Sequence, residues 1–178
     1  MKRFLENTTP TIIIDTREQD PLNIRGYPVV FEALPIGDYG IVGFSDWTNP
    51  RFIVERKSLS DLIKSLTGRQ DAAKDSERKR FMREIEKMRQ FGWRALLIEA
   101  RREEVAAGDY RSAATPQSML ASLDAVAVRA GVHLFWAGGH EEAARQLESL
   151  VRQFIRGIHK DYRRATAPII EREKPVEK

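Results

Sequence analysis

The chain has 178 residues, of which 42% are hydrophobic and 31% charged, a composition typical of one globular domain rather than a disordered or fibrous protein. It contains no cysteine, which excludes disulfides, thiol nucleophiles and cysteine-ligated zinc, so a bound metal would depend mainly on oxygen ligands. A net charge of +4 permits a polyanionic partner.

The N-terminal part of the chain predicts strands rather than helices, because short apolar and β-branched runs alternate with turn-forming residues. Strands are expected at residues 11–15, 29–34, 39–44 and 52–54. The second and third runs are separated only by a turn, so we expect those two strands to pair with each other. The polar segment 45–50 predicts a loop, and the charges from Glu55 onward are expected to end the fourth strand.

From Ser58 onward, apolar residues recur mainly at helical spacing, with two further apolar runs between the helical patterns. Helices are predicted at residues 58–67, 81–91, 116–130 and from 140 onward, and strands at 93–99 and 132–136. Residues 101–115 are expected to be irregular. The order of elements predicts an α/β fold with a central mixed β-sheet flanked by α-helices. We expect one domain over residues 1–160, followed by a charged, flexible tail over residues 161–178.

Three carboxylates lie at the ends of predicted strands or in the turn before one, those of Asp15, Asp38 and Glu55, and Lys57 follows two residues later. Side chains at strand ends commonly line the crevice of an α/β sheet, and carboxylates that meet there suit Mg²⁺ or Mn²⁺. Such an ion promotes phosphodiester hydrolysis, and a neighbouring ammonium stabilises the transition state. Since residues i and i+2 of a strand share a face, Glu55 and Lys57 are expected to face one cleft. As alternatives, Asp15 could merely cap a loop and Asp38 could be an ordinary turn residue.

Three segments of the chain carry a resemblance to a known family. They are Ile14-Asp15-Thr16-Arg17-Glu18, Ile36-Gly37-Asp38-Tyr39, and Val54-Glu55-Arg56-Lys57 with Asp61 four residues later. These segments resemble the nuclease domain of the XPF/Mus/Hef structure-specific endonucleases, whose signature is G-D-x(n)-E-R-K-x(3)-D. The similarity covers most of residues 11–157. It implies a restriction-endonuclease-like core and Mg²⁺- or Mn²⁺-dependent cleavage of branched DNA, such as flaps, forks and junctions.

Carried over position by position, the resemblance implies roles for eight residues. The metal ligands would be Asp15, Asp38 and Glu55. The catalytic ammonium would be that of Lys57. The supporting polar residues of the catalytic site would be Arg17, Glu18, Arg56 and Asp61. Asp61 also stands three residues after Ser58, so it fits a capping box at the start of a helix equally well.

The second predicted helix has a strongly basic face that is expected to contact DNA phosphates. The predicted DNA-binding residues are Arg78, Lys79 and Arg83, together with Arg69 beside the catalytic site. Glutamates interleave with this face, so a solvated surface with intrahelical ion pairs is the alternative interpretation.

Other functions remain open at the level of sequence. The main alternative is a non-catalytic DNA-binding or scaffolding subunit of a nuclease complex, and a nuclease for RNA or linear duplex is another. The apolar stripe at 147–158 is long for one small domain, which suggests a homodimer or a partner subunit. No run approaches the roughly 20 apolar residues of a membrane span, and no signal peptide is found, so we expect a cytoplasmic protein of prokaryotic or viral type. A nuclear protein is also compatible with this composition.

Overall fold

A computed structural model describes residues 9–67 and 76–172, with side chains through residue 167. Within these ranges, six strands form one mixed sheet, and two short strands form a separate hairpin. The sheet consists of β1 (Ile12–Asp15), β2 (Val29–Glu32), β3 (Tyr39–Ile41), β6 (Phe52–Ser58), β7 (Trp93–Glu99) and β8 (His133–Trp136), and the hairpin of β4 (Ser45–Asp46) and β5 (Asn49–Pro50). The described helices are α1 (Leu59–Thr67), α2 (Glu77–Met88), α3 (Arg102–Ala107), α4 (Pro116–Ala130) and α5 (His140–Arg172).

The strand order of the sheet is β2-β1-β3-β6-β7-β8. Strands β1 and β2 are parallel, β3 is antiparallel to both of its neighbours, and β6, β7 and β8 are mutually parallel. The carboxyl ends of β1, β6 and β7 therefore lie at the same edge of the sheet as the amino end of β3. We call this the C-terminal edge.

Helices cover both faces of the sheet, and strand β6 contributes to both contacts. Ile53 belongs to the apolar cluster that contains residues of α1, α2 and α4, whereas Phe52 and Val54 belong to the cluster that contains residues of α5. This alternation is the two-residue period of a strand, and it continues into the charged residues that follow. The predicted α/β architecture, a mixed sheet flanked by helices, is confirmed.

The predicted pairing of the second and third strands is wrong, because β1 lies between them. All four residues of β1 are buried, which requires a paired strand on each side, whereas β2 is a largely exposed edge strand. The fourth strand also continues past Glu55 to Ser58, since residues 55–58 keep their pairing with residues 96–99 of β7.

Two segments expected to be irregular contain regular structure: the hairpin β4–β5 within residues 45–50, and the short helix α3 within residues 101–115. In contrast, the predicted bounds of β7 and α4 coincide with the observed ones. Helix α5 continues through Arg172, so the backbone of residues 161–172 is helical. The domain boundary at residue 160 stays a prediction. None of the helices in the described ranges is long and apolar enough to cross a membrane.

Candidate active site

Asp38 is fixed at the C-terminal edge by the strands on either side of it. Its backbone N–H donates to the carbonyl of Val54 (2.9 Å), and its own carbonyl accepts from the N–H of Asp15 (2.9 Å). Its Oδ2 accepts a hydrogen bond from the backbone N–H of Arg56 (2.7 Å). Gly37, which precedes it, has φ +74°, and a Cβ there would lie 2.8 Å from the side chain of Ile53, so this turn requires glycine.

Glu55 and Lys57 form a close ion pair on one face of β6. The Nζ atom of Lys57 lies 2.6 Å from Oε1 of Glu55, and both side chains are largely buried, with exposed fractions of 18% and 6%. The ammonium also lies 5.8 Å from the ring centroid of Phe81 on α2. The pair therefore faces the helix α2 side of the sheet, with its polar atoms held in one orientation.

The electrostatics of these three groups are strongly coupled. Burial and the neighbouring charge of Glu55 raise the pKa of Asp38 well above its usual value. Burial also raises the pKa of Glu55, although Lys57 offsets part of this effect. Burial alone would lower the pKa of Lys57, but the charges of Glu55 and Asp38 raise it. The site thus holds a protonated ammonium beside two carboxylates, and the single positive charge balances their negative charges only in part.

The side chains of Asp38 and Glu55 could hold a divalent cation at this edge. Their carboxylates are hard oxygen donors, and Mg²⁺ is commonly bound through one or two carboxylates with water and substrate phosphate completing its coordination. A bound cation would also supply positive charge beside these two carboxylates, whose pKa values burial raises. The donor set therefore fits Mg²⁺ or Mn²⁺.

Asp15 does not join this pair in the structure, and the predicted role of Asp15 as a metal ligand together with Asp38 and Glu55 stays a prediction. In the described part of the chain, no three acidic or histidine side chains are arranged to hold a metal. The Asp15 carboxylate accepts hydrogen bonds from the Leu34 N–H (2.6 Å) and from Nε and Nη2 of Arg17 (2.6 and 2.9 Å). Its side chain is only 1% exposed.

The physical reason is that Asp15 is already saturated by local partners. Burial alone would raise its pKa, but the hydrogen bonds from Arg17 and Leu34 lower it below the usual value. Arg17 in turn donates from Nη2 to the Leu34 carbonyl (3.0 Å), while its side chain remains two-thirds exposed on the cleft. Asp15 therefore positions Arg17 and anchors the segment that leads to Asp38.

Arg56 projects to the opposite face of β6 from Glu55 and Lys57 and forms a buried ionic network. Its guanidinium donates two hydrogen bonds to Glu18 (2.9 and 3.1 Å) and one to Glu99 (2.9 Å). The Nδ1 atom of His140 lies 2.8 Å from the same Glu99 oxygen. Burial alone would lower the pKa of Arg56, but its bonds to these carboxylates raise it. Arg56 and Glu18 therefore tie β6, β7, α5 and the loop after β1 together.

Asp61 has the helix-capping geometry that its spacing predicts. The Ser58 hydroxyl accepts from the Asp61 N–H (3.2 Å) and lies 2.8 Å from Oδ2 of Asp61, to which it donates. The hydrogen bond from Ser58 lowers the pKa of the Asp61 carboxyl. Lys64 donates to the other oxygen of Asp61 (3.2 Å). Asp61 lies on the cleft wall, where it fixes the start of α1.

A polar cleft of about 550 Å³ opens at the C-terminal edge. Its walls come from the loop after β1, the end of β6, and the helices α1 and α2. Its charged lining residues are Arg17, Glu18, Asp20, Asp38, Arg56, Lys57, Asp61, Lys64, Glu77 and Arg80. The cleft thus contains most of the predicted catalytic residues, whereas Asp15 and Glu55 lie beneath its surface.

The three predicted DNA-binding residues that the structure describes, Arg78, Lys79 and Arg83, do not line this cleft. Arg78, Lys79 and Arg83 are exposed on α2, but the side chain of Arg78 donates to the carbonyl of Leu66 and borders a different groove, between α2 and α4. The fourth residue, Arg69, lies outside the described residues.

Sequence reasoning missed several residues around the site. Glu99 ends strand β7, and the criterion of an acid at a strand end would have found it. His140 and Glu84 gave no such signal, since their proximity to the site depends on how α5 and α2 pack. The negative charge of Glu84 favours a higher pKa for both Glu55 and Lys57. Lys64 on α1 and Arg80 on α2 also line the cleft, which depends on how these two helices pack and not on their spacing in the sequence.

Comparisons with known proteins agree with this architecture. The family model of the ERCC4 domain matches residues 14–150. XPF from Aeropyrum pernix has 23% sequence identity and a TM-score of 0.61, over 94% of this chain and 76% of that one. A structure of XPF from Aeropyrum pernix in complex with DNA has the same identity and TM-score, over 83% of this chain and 66% of that one. A comparison with curated proteins gives no match.

Proposed function

This chain belongs to the ERCC4 domain family, and we propose that it is a metal-dependent endonuclease that hydrolyses phosphodiester bonds in DNA, with branched DNA as its substrate. The observation that carries the proposal is the buried Glu55–Lys57 pair beside Asp38 at the base of an open, polar cleft. The similar XPF structure bound to DNA supports the substrate class.

Asp38 and Glu55 would hold the Mg²⁺ or Mn²⁺ ion. When bound, such an ion supplies Lewis-acid polarisation of the scissile phosphate and of the attacking water. Asp38 keeps a fixed orientation for this role because the Arg56 N–H binds one of its oxygens (2.7 Å). Glu55 is oriented by Lys57.

Lys57 would stabilise the negative charge that develops on the phosphate oxygens as water attacks phosphorus and the P–O bond breaks. Its ammonium remains protonated because Glu55 and Asp38 raise its pKa, and its position is set before substrate binds, so little reorganisation is needed during the reaction. Arg17, held by Asp15 and exposed on the cleft, would bind the scissile phosphate or its neighbour.

The two cations on the cleft wall, Lys64 and Arg80, would bind phosphates that flank the scissile bond. A cleft open to solvent at the sheet edge can admit a nucleic-acid backbone without enclosing it. We therefore assign DNA backbone contacts to these residues rather than to Arg78, Lys79 and Arg83.

The test is a cleavage assay with the purified protein on labelled flap, fork, junction and linear DNA. We expect cleavage of branched substrates in Mg²⁺ or Mn²⁺, none in chelator, and none by Asp38→Asn. An absence of cleavage on every substrate in both metals would refute the proposal. Activity that appears only with an added partner protein would instead favour a subunit of a nuclease complex, and cleavage of linear DNA or RNA alone would change the substrate class.

A further inference from the structure

The second half of helix α5 carries an excess of positive charge with few acids to balance it. Residues 151–167 contain five Lys or Arg and one Asp. The five cations are Arg152, Arg156, Lys160, Arg163 and Arg164, which we call the α5 basic face.

The α5 basic face points away from the protein core. Its members recur every three or four residues, so they share one side of the helix, and all five are exposed. The opposite side carries Val151, which is buried, and Phe154, Ile155 and Ile158, which are half-buried. The helix is thus anchored by its apolar side, and the cations are presented to solvent.

This face differs from an ordinary charged helix surface. Helix α2 also carries many cations, but Glu77, Glu84 and Glu86 alternate with them and allow intrahelical pairing. On α5, Asp161 is the single acid between residues 150 and 168. Like charges four residues apart on a helix repel each other, which is unfavourable for the isolated helix and favours an anionic partner.

The geometry of the face matches a nucleic-acid backbone. Arg152 and Arg164 are twelve residues apart, which corresponds to about 18 Å of helix axis and to the length of about five base pairs of duplex DNA. One flank of the face borders a cavity of about 390 Å³ that Arg152, Arg156 and His159 share with Tyr27. A groove beside the row of cations gives phosphates a place to seat.

The face is also distinct from the cleft. Helix α5 begins at His140, which contacts Glu99 of the buried ionic network, and Arg152 follows about 18 Å further along the helix axis. Gln153 and Gly157, which are interleaved with the cations, are exposed and not apolar. Among the large apolar side chains of residues 151–167, only that of Tyr162 is exposed (38%). One such ring gives little to insert into a bilayer, which favours DNA over a lipid surface as the partner.

We propose that the α5 basic face is a second DNA-binding surface, separate from the catalytic cleft, that holds a duplex arm of the substrate through its phosphates. The choice of DNA as the partner of this face rests on the proposed function, but binding of DNA there does not require cleavage. The consequence is that affinity for DNA is divided between two parts of the molecule, of which only one performs the reaction.

The test compares a variant that lacks four charges of the α5 basic face with a control variant that lacks four charges elsewhere. The test variant is Arg152→Gln, Arg156→Gln, Lys160→Gln and Arg164→Gln. The control variant is Lys87→Gln, Arg89→Gln, Arg111→Gln and Arg129→Gln, at four exposed positions that line neither the cleft nor the cavity beside the α5 basic face. Both carry Asp38→Asn, and binding to labelled forked and linear duplex DNA is followed by fluorescence anisotropy in chelator, between about 50 and 200 mM salt. Circular dichroism establishes that both variants fold.

We expect the test variant to lose at least about tenfold in affinity and the slope of log K against log salt to become shallower by about 3.6, because each of the four lost phosphate contacts removes about 0.9 from that slope. An unchanged affinity and slope, or an equal loss in the control variant, would overturn the proposal. Vesicles of phosphatidylserine and phosphatidylcholine provide a second readout: vesicle binding that the test variant loses, with DNA binding intact, would also overturn it. Because no arm measures cleavage, the DNA result stands or falls separately from the assay of catalytic activity.

Discussion

The Nζ atom of Lys57 lies 2.6 Å from Oε1 of Glu55, with both side chains on the same face of strand β6. The contact holds an ammonium in place beside a second carboxylate, that of the half-buried Asp38. Charge that is oriented before substrate arrives stabilises a transition state at no cost of reorganisation. Loss of Lys57 should therefore affect catalysis, whereas loss of Glu55 should affect metal binding.

Lys57→Ala should reduce the rate of DNA cleavage by about 10²–10³-fold, the range for removal of one oriented charge from a transition-state site. DNA affinity should change only a few fold, because we expect most phosphate contacts elsewhere in the cleft and on α5. Single-turnover cleavage and anisotropy measure the two effects. Lys87→Ala, an exposed change on α2, is the control, and normal cleavage by Lys57→Ala would show that the site is misplaced.

Glu55→Gln should weaken metal binding at least about tenfold, the lower range for a lost interaction at a metal site. Asp15→Asn should leave the affinity for metal unchanged, because both Asp15 oxygens are already engaged by Arg17 and Leu34. Titration calorimetry with Mn²⁺ distinguishes these outcomes without any cleavage. Weaker Mn²⁺ binding by Asp15→Asn would restore Asp15 as a ligand.

Asp15→Asn should instead destabilise the fold by about 1–3 kcal/mol at neutral pH, the cost of disrupting buried hydrogen bonds to a charged group. The pKa of Asp15 is lowered in the folded state, so its stabilising contribution is present above the unfolded pKa of about 4 and is lost as pH falls through the folded pKa. Thermal unfolding across this pH range should show the two proteins converging in acid. The control is Asp124→Asn at an exposed position, for which no such convergence is expected.

Arg56→Met should destabilise the protein by about 3–5 kcal/mol, because it leaves the carboxylates of Glu18 and Glu99 buried without their partner. Arg145→Met removes an ion pair to Glu142 in which both side chains are more than half exposed, and should cost less than about 1 kcal/mol. Urea unfolding of the two variants gives the comparison. Equal losses would indicate that the Arg56 network is not structural.

Neutralising Lys64 and Arg80 should weaken DNA binding more than neutralising Lys79 and Lys87, although both double variants remove two charges. Lys64 and Arg80 line the cleft. Lys79 and Lys87 are exposed on α2 and do not line it. We expect the slope of log K against log salt to fall by about 2 for the first pair alone. A larger effect from Lys79 and Lys87 would return the DNA-binding role to the outer face of α2.

The elements that the sequence predicts well are those whose ends are marked by strong local signals. Helix α4 begins at Pro116 after the capping residue Thr115 and ends at Gly131, which adopts a left-handed conformation. Strand β7 is buried over most of its length and lies directly after Gly92. The bounds of both elements depend on residues within or next to them, so they can be predicted from the sequence of this chain alone.

The pairing of β2 and the orientation of Asp15 depend instead on distant parts of the chain. Proximity in sequence favours β2 beside β3, but burial of β1 on both edges requires a strand on each side. Asp15 ends strand β1, and its carboxylate accepts a hydrogen bond from the Leu34 N–H (N to O, 2.6 Å), a partner 19 residues away in the sequence. The residue types predict a carboxylate centre, whereas the partners of each carboxylate depend on tertiary hydrogen bonds.

The two-residue alternation of β6 has a consequence for how this protein can vary. Ile53, Glu55 and Lys57 face one layer of helices, and Phe52, Val54 and Arg56 face the other. A single residue inserted early in this strand would exchange the two sets, and would place the guanidinium on the face toward α2 and the ammonium on the face of the Glu18 and Glu99 network. Insertions and deletions there are therefore far more damaging than substitutions, and homologous chains should conserve the spacing of this strand even where its apolar residues differ.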